Sequence, residues 1–99
     1  MPKVILQISY EIKPEKQEEY LVLAKELKQH FGVERKKSYR IFEVKGRKGS
    51  FVEEFACNSM EEYEALEDDM NESSESLVNR LEILLREGKA KYTTLIEVE

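Results

Sequence analysis

Apolar and polar side chains alternate along the first predicted strand, which spans residues 4–12. A period of two places successive residues on opposite faces of a sheet. One face is wholly apolar and the other is mixed; the apolar face carries Val4, Leu6, Ile8, Tyr10 and Ile12, and the mixed face carries Ile5, Gln7, Ser9 and Glu11. We expect the apolar face to pack against helices.

A helix is predicted directly after this strand. Lys13-Pro14-Glu15 stops the strand and starts the helix, because proline fits a first helical turn and early acidic residues suit its positive end. Apolar residues then recur at three- and four-residue spacing, which indicates a buried stripe made of Tyr20, Leu23, Ala24, Leu27 and Phe31. Gly32 is predicted to end the helix in the left-handed conformation.

Two further strands form a predicted antiparallel hairpin. The first spans residues 38–45, with Tyr39 and Ile41 on one face and Phe42 and Val44 on the other. Residues 46–49, Gly-Arg-Lys-Gly, form the turn. The second strand spans residues 51–57 and leads directly into helical sequence.

The second half of the chain predicts a broken helix and a last strand. Ser59 and Glu62 match a capping box, and the following stripe consists of Met60, Tyr63, Leu66 and Met70. Residues 71–74 interrupt this helix because their side chains favour caps. A further helix is expected from about Glu75 to near Gly88, with Leu77, Val78, Leu81, Leu84 and Leu85 in register. Tyr92, Thr94, Ile96 and Val98 alternate as the last strand.

The order of these elements, β-α-β-β-α-β, predicts an α+β protein with the ferredoxin-like arrangement. Two β-α-β halves with right-handed crossovers give a four-stranded antiparallel sheet with its helices on one face. We expect one domain over residues 1–99. The uncovered face would carry Ile5, Gln7 and Leu95, and a second copy of the chain could cover it through a two-fold interface. A homodimer is therefore the expected assembly.

Net charge and composition limit the kinds of partner that the protein is expected to bind. A net charge of −5 argues against nucleic acid or an anionic membrane as a partner, because both require a cationic surface. Basic residues are concentrated in residues 35–48, whereas residues 53–75 hold many acids and neither Lys nor Arg. This asymmetry indicates either two solvated faces of opposite charge or complementary surfaces within an oligomer.

Localisation is predicted from what the sequence lacks. Cys57 is the only cysteine, so no intramolecular disulfide forms, and its strand position predicts a small buried side chain. The N-terminal residues lack the apolar stretch of a signal peptide, and no run is long enough to span a bilayer. We expect a cytoplasmic protein.

Two stretches carry a family resemblance. Residues 12–20, Ile-Lys-Pro-Glu-Lys-Gln-Glu-Glu-Tyr, resemble the strand-Pro-helix entry of the dimeric α/β-barrel superfamily, which contains the antibiotic biosynthesis monooxygenase-like domains. Residues 51–55 and 59–66 are similar to the third strand and second helix of that group. The resemblance implies a ferredoxin-like subunit that dimerises as an α/β barrel. Members include cofactor-free oxygenases, haem-degrading enzymes and small-molecule isomerases, so fold does not select function.

The resemblance also implies a ligand pocket between sheet and helices. The candidate residues to line it are the aromatic residues Tyr10, Tyr39, Phe42, Phe55, Tyr63 and Tyr92, together with Arg40, whose guanidinium could hold a carboxylate. For the aromatic residues, ordinary core packing is the alternative. Haem-degrading members use a histidine on the second helix, but the matching positions here are Leu66, Glu67 and Asp68. We therefore expect no haem, no other cofactor and no metal.

Other titratable residues have structural interpretations. His30 is expected at the surface near the negative end of the first helix. Glu53 and Glu54 point to opposite faces of their strand, and the interior one is expected to form an ion pair, with Arg40, Lys45 and tyrosine hydroxyls as the side-chain partners available. Residues 67–69, Glu-Asp-Asp, lack the glycine and ligand spacing of a calcium loop. Ser73, Ser74 and Ser76 have no adjacent histidine in the sequence to activate them.

Three functional hypotheses remain. The first is a homodimer that binds a small molecule or serves a structural role without strong catalysis, since the chain lacks tryptophan, a second-helix histidine and a metal pattern. The second is a cofactor-independent monooxygenase or isomerase that acts on a small aromatic or polyketide-like substrate in the pocket. The third is a regulatory domain that senses a small acid at the dimer edge.

Overall fold

A computed structural model describes residues 2–68 and 70–98 of the chain, apart from the side chain of Glu67. Four strands and three helices follow one another as β1 (Val4–Ile12), α1 (Gln17–Leu27), β2 (Ser38–Glu43), β3 (Ser50–Cys57), α2 (Met60–Asp68), α3 (Glu72–Leu84) and β4 (Leu85–Ile96). A 3-10 turn, Pro14–Lys16, precedes α1, and a π-helical segment, Lys28–Glu34, extends it.

The strands form one antiparallel sheet in the order β2-β3-β1-β4. In the register, Leu6 of β1 lies between Phe55 of β3 and Thr94 of β4, and Tyr39 of β2 lies beside Phe55. The helices connect β1 to β2 and β3 to β4. This arrangement confirms the predicted ferredoxin-like α+β fold.

The core lies between the helices and one face of the sheet. Tyr20, Leu23 and Leu27 of α1 are each 1% exposed, which confirms the stripe read from their spacing. They pack in one cluster with Tyr10 and Phe55 of the sheet. Cys57 is also buried, as predicted for a small side chain on the inner face. The apolar side of β1 therefore does face the helices.

Two predicted helix ends are wrong. The last helix was expected to continue to Gly88, but α3 ends at Leu84, and Leu85 already pairs with Ile12 of β1. The register slips between Tyr10 and Ile12, and Gly88 adopts φ +64° within β4. Because Leu85 fits both a helical stripe and a strand, the pairing with β1 decides its structure.

The end of the first helix also differs from the prediction. Gly32 lies inside the π-helical segment, where the backbone N–H of Arg35 donates to the carbonyl of His30 over 2.8 Å. The left-handed residue is Lys36, with φ 53°. The wider turn extends the helix past the glycine, so Gly32 is not its left-handed end.

Side-chain caps begin α2 and α3, although α3 starts at Glu72 and not at about Glu75 as predicted. The N–H of Glu62 donates to Ser59 Oγ over 3.1 Å, and the carboxylate of Glu62 accepts from the N–H of Asn58 over 2.8 Å. Asn71 caps α3 by accepting from the N–H of Ser74 over 2.8 Å. The break between these helices lets α2 lie over one end of the sheet.

Candidate functional site

A cavity of about 750 Å³ lies between the inner face of the sheet and the helices. Most of its wall is apolar, and the contributing elements are all three helices, the π-helical segment and the three strands β1, β3 and β4. The apolar and aromatic lining comprises Leu6, Ile8, Leu27, Phe31, Phe55, Tyr63, Leu66, Met70, Val78, Leu81, Leu85, Ala90 and Tyr92. Its size and composition are typical of a site for a small organic molecule.

Glu53 is the buried acidic residue in this wall. It lies between Phe51 and Phe55 on β3, and the period of two places all three side chains on the inner face. Glu53 is only 4% exposed. A carboxyl in such a place must be hydrogen-bonded or neutral, because burying an isolated charge is costly.

Tyrosine hydroxyls surround the Glu53 carboxyl. Tyr39 of β2 donates a short hydrogen bond to Glu53 Oε1. Tyr10 of β1 is a second hydrogen-bonding neighbour of the carboxyl, and its hydroxyl lies 2.8 Å from that of Tyr20 of α1. The four polar groups thus form one buried cluster at the wall of the cavity.

Burial sets the protonation preference of this cluster. Desolvation raises the pKa of Glu53, and hydrogen bonds from Tyr39 and Tyr10 lower it in part. Desolvation likewise raises the pKa of Tyr10, Tyr20 and Tyr39, and a charge on Glu53 raises each of them further. The tyrosines therefore stay protonated at neutral pH, and the Glu53 carboxyl keeps its proton to higher pH than an exposed glutamate does.

Charged and polar groups also contribute to the cavity wall. Arg35 and Lys37 lie between α1 and β2, and Glu64 and Glu82 lie on α2 and α3. On the α2 side, the hydroxyl of Tyr63 lies 2.8 Å from Oγ1 of Thr94 on β4, and both residues line the cavity. The arrangement can hold an apolar molecule and present one buried acid to it.

Among the predicted pocket residues, Phe55, Tyr63 and Tyr92 line the cavity. Tyr39 and Tyr10 are buried behind it, where their hydroxyls contact Glu53 and, for Tyr10, Tyr20. The structure thus brings five of the predicted residues to one side of the sheet.

Arg40 and Phe42 lie elsewhere. They pair with Glu54 and Val52 on the outer face of the sheet, and Phe42 is 45% exposed. One-residue parity on β2 sends Tyr39 and Ile41 inward and their neighbours outward, so Arg40 and Phe42 are not among the residues that line this cavity. Arg40, one of the partners named for the interior glutamate, lies on the opposite face from Glu53, and a tyrosine hydroxyl, also among those partners, bonds to Glu53.

His30 is buried, not exposed. It is 6% exposed, and its Nε2 lies 2.6 Å from Oγ of Ser74 at the start of α3. Its Nδ1 lies 3.6 Å from a carboxylate oxygen of Glu34. The prediction of a surface residue failed because the π-helical segment turns both His30 and Phe31 inward, toward α3 and toward the cavity.

The Glu34-His30-Ser74 arrangement has the residue types of a hydrolytic triad, and it corrects the expectation that the serines lack an adjacent histidine. Ser74 is 0% exposed, however, so its hydroxyl cannot meet a substrate in this structure. The His30–Ser74 contact instead joins the π-helical segment to α3.

Metal binding has no candidate cluster in the described part of the chain, where no three His, Cys, Asp or Glu side chains come together. Of the acidic run at residues 67–69, Asp69 and the side chain of Glu67 lie outside the described residues. Over residues 2–68 and 70–98, none of the helices combines the length and apolar character needed to cross a bilayer.

Structural comparison identifies the class of fold. One similar structure is an antibiotic biosynthesis monooxygenase, with a TM-score of 0.70, 24% identity and coverage of 100% of this chain and 98% of the other. A second is SnoaB, a cofactor-independent oxygenase from Streptomyces nogalater, with a TM-score of 0.72, 7% identity and coverage of 94% and 90%. A third is a conserved protein from Methanosarcina mazei, with a TM-score of 0.79, 14% identity and coverage of 96% and 92%.

These likenesses show that the chain has the ferredoxin-like fold of the antibiotic biosynthesis monooxygenase-like proteins, as its sequence resemblance implied. At identities of 24% or less they show the fold alone. No family model and no curated protein matches the sequence.

Glu53 was absent from the pocket residues predicted from the sequence. Its parity with Phe51 and Phe55 was visible in the sequence and placed it on the inner face. The tyrosine partners could not be found in this way, because they come from β1 and β2, and only the register of the sheet brings them together.

Proposed function

We propose that this protein binds a small, mostly apolar molecule in the cavity between sheet and helices, and that it does so as a homodimer. The observation that carries the proposal is a cavity of about 750 Å³ with one buried acid, Glu53, in an otherwise largely apolar wall. An apolar wall supplies affinity through burial, and one fixed polar group supplies orientation.

Binding without strong catalysis is the first candidate. The chain has no tryptophan, and its only histidine, His30, packs against Ser74 and borders a separate groove beside α3. The cavity therefore offers carboxyl groups, hydroxyls and the side chains of Arg35 and Lys37, but no imidazole. That set suits recognition of a ligand more readily than activation of a nucleophile.

A cavity-filling variant tests the binding site. A library of small aromatic molecules, amino acids and small carboxylates is screened by thermal shift. A ligand at ten times its Kd adds about 1.4 kcal/mol of stability, or roughly 6–11 °C for a domain of this size. Leu66→Trp fills the cavity from α2 and is expected to abolish the shift.

Ile83→Trp is the matched control, because Ile83 of α3 is 67% exposed and does not line the cavity. This variant should keep the full shift. If no aromatic compound stabilises the wild type, or if both variants respond alike, binding in the cavity is rejected. A shift caused only by small carboxylates and kept in Leu66→Trp would point to an acid sensor with its site outside the cavity.

A second candidate is a cofactor-independent oxygenase or isomerase. The placement of Glu53 favours it, because a buried acid at the wall of a cavity can exchange a proton with a bound substrate. Oxygen uptake with an aromatic polyphenol tests this activity. Glu53→Gln should remove the activity, whereas Arg40→Ala, on the outer face, should keep it. Absence of oxygen uptake with a polyphenol shown to bind would reject the oxygenase activity.

A further inference from the structure

The donors and acceptors around Glu53 leave one hydrogen-bond position for a ligand. Tyr39 donates to Oε1. The hydroxyl of Tyr10 is a second hydrogen-bonding neighbour of the carboxyl, and a hydroxyl can donate to a carboxyl oxygen. A neutral carboxylic acid carries one O–H donor of its own. When both tyrosine hydroxyls donate to the carboxyl, that O–H is left to donate to an acceptor in the cavity, which Glu53 lines.

The Tyr10-Tyr20 pair supports the same assignment. The two hydroxyls are 2.8 Å apart, and each has one hydrogen to donate. If Tyr10 donates to Glu53, Tyr20 must donate to Tyr10. The chain of donors then runs from Tyr20 through Tyr10 to the carboxyl, and the remaining free hydrogen belongs to Glu53, which lines the cavity.

Resting on the proposed binding function, we propose that Glu53 acts as a neutral hydrogen-bond donor that selects uncharged apolar ligands carrying a carbonyl-type acceptor. A ketone or quinone oxygen would accept the Glu53 O–H. An aliphatic hydrocarbon would leave that donor unsatisfied, and a carboxylate would have to lose its hydration to enter the apolar wall.

Other charged groups bear on this selectivity. The groups facing Glu53 from β1 and β2 are the hydroxyls of Tyr10 and Tyr39, with Tyr20 of α1 behind Tyr10. Among the described residues elsewhere in the cavity wall, Arg35 and Lys37 are cationic and Glu64 and Glu82 are anionic, so these four balance in formal charge. Whether the cavity selects ligands by their charge therefore depends on whether Glu53 is ionised.

Four naphthalene probes of matched size separate the alternatives: 2-acetylnaphthalene, 2-methylnaphthalene, 2-naphthylmethylamine and 2-naphthoate. Affinities are measured by ligand-observed NMR across a pH series. At the acidic end of the series we expect acetylnaphthalene to bind about tenfold more tightly than methylnaphthalene, the effect of one buried hydrogen bond. This preference should fall as Glu53 ionises, and binding of the amine should then rise.

Two substitutions test whether Glu53 causes the ketone preference and its pH dependence. Glu53→Gln keeps a neutral N–H donor, so it should keep the ketone preference and lose its pH dependence. Glu53→Leu should remove the preference and retain methylnaphthalene binding. Glu54→Gln is the matched control, because Glu54 is the next residue of β3 and faces the outer side of the sheet. It should behave as wild type.

Several outcomes would overturn the proposal. Tightest binding of the amine at the acidic end of the series, lost in Glu53→Gln, would show an ionised Glu53 that selects cations. A ketone preference that is unchanged in Glu53→Leu would place the donor elsewhere. If even methylnaphthalene fails to bind, the cavity-binding function itself fails. The wild-type pH series decides between a neutral and an ionised Glu53 without any variant, so a variant that misfolds does not remove the test.

Discussion

Glu53 makes folding stability depend on pH at the scale of one residue. Burial raises its pKa above the ordinary value of 4.5 in the folded chain. The folded state therefore keeps its proton to higher pH than the unfolded state does. Stability is greatest where both states are protonated, and it falls as pH rises from about the unfolded pKa through the folded pKa.

Glu53→Gln should remove this dependence. Urea unfolding of the wild type in steps above pH 4.5 is expected to show a decline of up to about 1.4 kcal/mol per pH unit from this group. The variant should show a flatter profile over the same window, whereas Glu54→Gln should follow the wild type. A wild-type profile that rises over this window and loses its rise in Glu53→Gln would mean that the folded pKa of Glu53 is lowered.

At the residue scale, the sequence predicts which face of a strand a side chain occupies, because periodicity alone decides this. Strand parity places Glu53 and Phe55 inward, and it would also have placed Arg40 and Phe42 outward once Tyr39 was taken as inward. What parity cannot supply is the partner across the sheet. The tyrosine cluster depends on the register of β1, β2 and β3, which no local pattern specifies.

At the scale of elements, the contact between His30 and Ser74 joins the π-helical segment to the first turn of α3. Both side chains are buried, and the atoms are 2.6 Å apart. Removal of one partner leaves a buried polar atom without its hydrogen bond, which costs about 1–3 kcal/mol. The contact should therefore contribute measurably to stability.

Ser74→Ala tests this contact. We expect the variant to lose roughly 1–3 kcal/mol of unfolding free energy, seen as a drop in Tm of at least about 4 °C in calorimetry. Ser73→Ala is the matched control, since Ser73 is the exposed neighbour on the same helical turn, and it should change stability by less than about 0.5 kcal/mol. Equal Tm values for the two variants would show that the contact contributes nothing.

The ends of the helices and strands show how far the local sequence can predict structure. The strand stop at Pro14, the capping box at Ser59 and the helix cap at Asn71 are local chemistry, and the structure confirms them. Leu85 and Gly32 are different. Their local sequence fits the predicted helix ends, but pairing of β4 with β1 and the wider turn after α1 override it.

At the scale of the whole molecule, the order of the elements was sufficient to predict the fold. Strands and helices in the order β-α-β-β-α-β with short connections leave few topologies, and right-handed crossovers select this one. The site was less accessible to prediction. Its cavity lies between the sheet and the helices, and the volume left there depends on side-chain packing.

The outer face of the sheet decides the proposed assembly. Leu95, Ile5 and Ala56 are paired neighbours across three strands and form an apolar row on this face, and Leu95 is 43% exposed. Beside it, the row of Thr93, Gln7, Glu54 and Arg40 is polar. A two-fold axis would bring this face of two subunits together, so that their apolar rows bury their surface against each other.

A charge placed in the apolar row should therefore separate the subunits. Leu95→Glu is expected to convert a dimer into a monomer, because two new carboxylates would be buried across the interface without partners. Ile83→Glu is the matched control, since Ile83 is exposed on α3, on the opposite side of the sheet, and should leave the dimer intact. Light scattering coupled to size exclusion measures the mass of each protein. A wild type that is monomeric at micromolar concentration would reject the homodimer, and a dimer that survives Leu95→Glu would place the interface on another face.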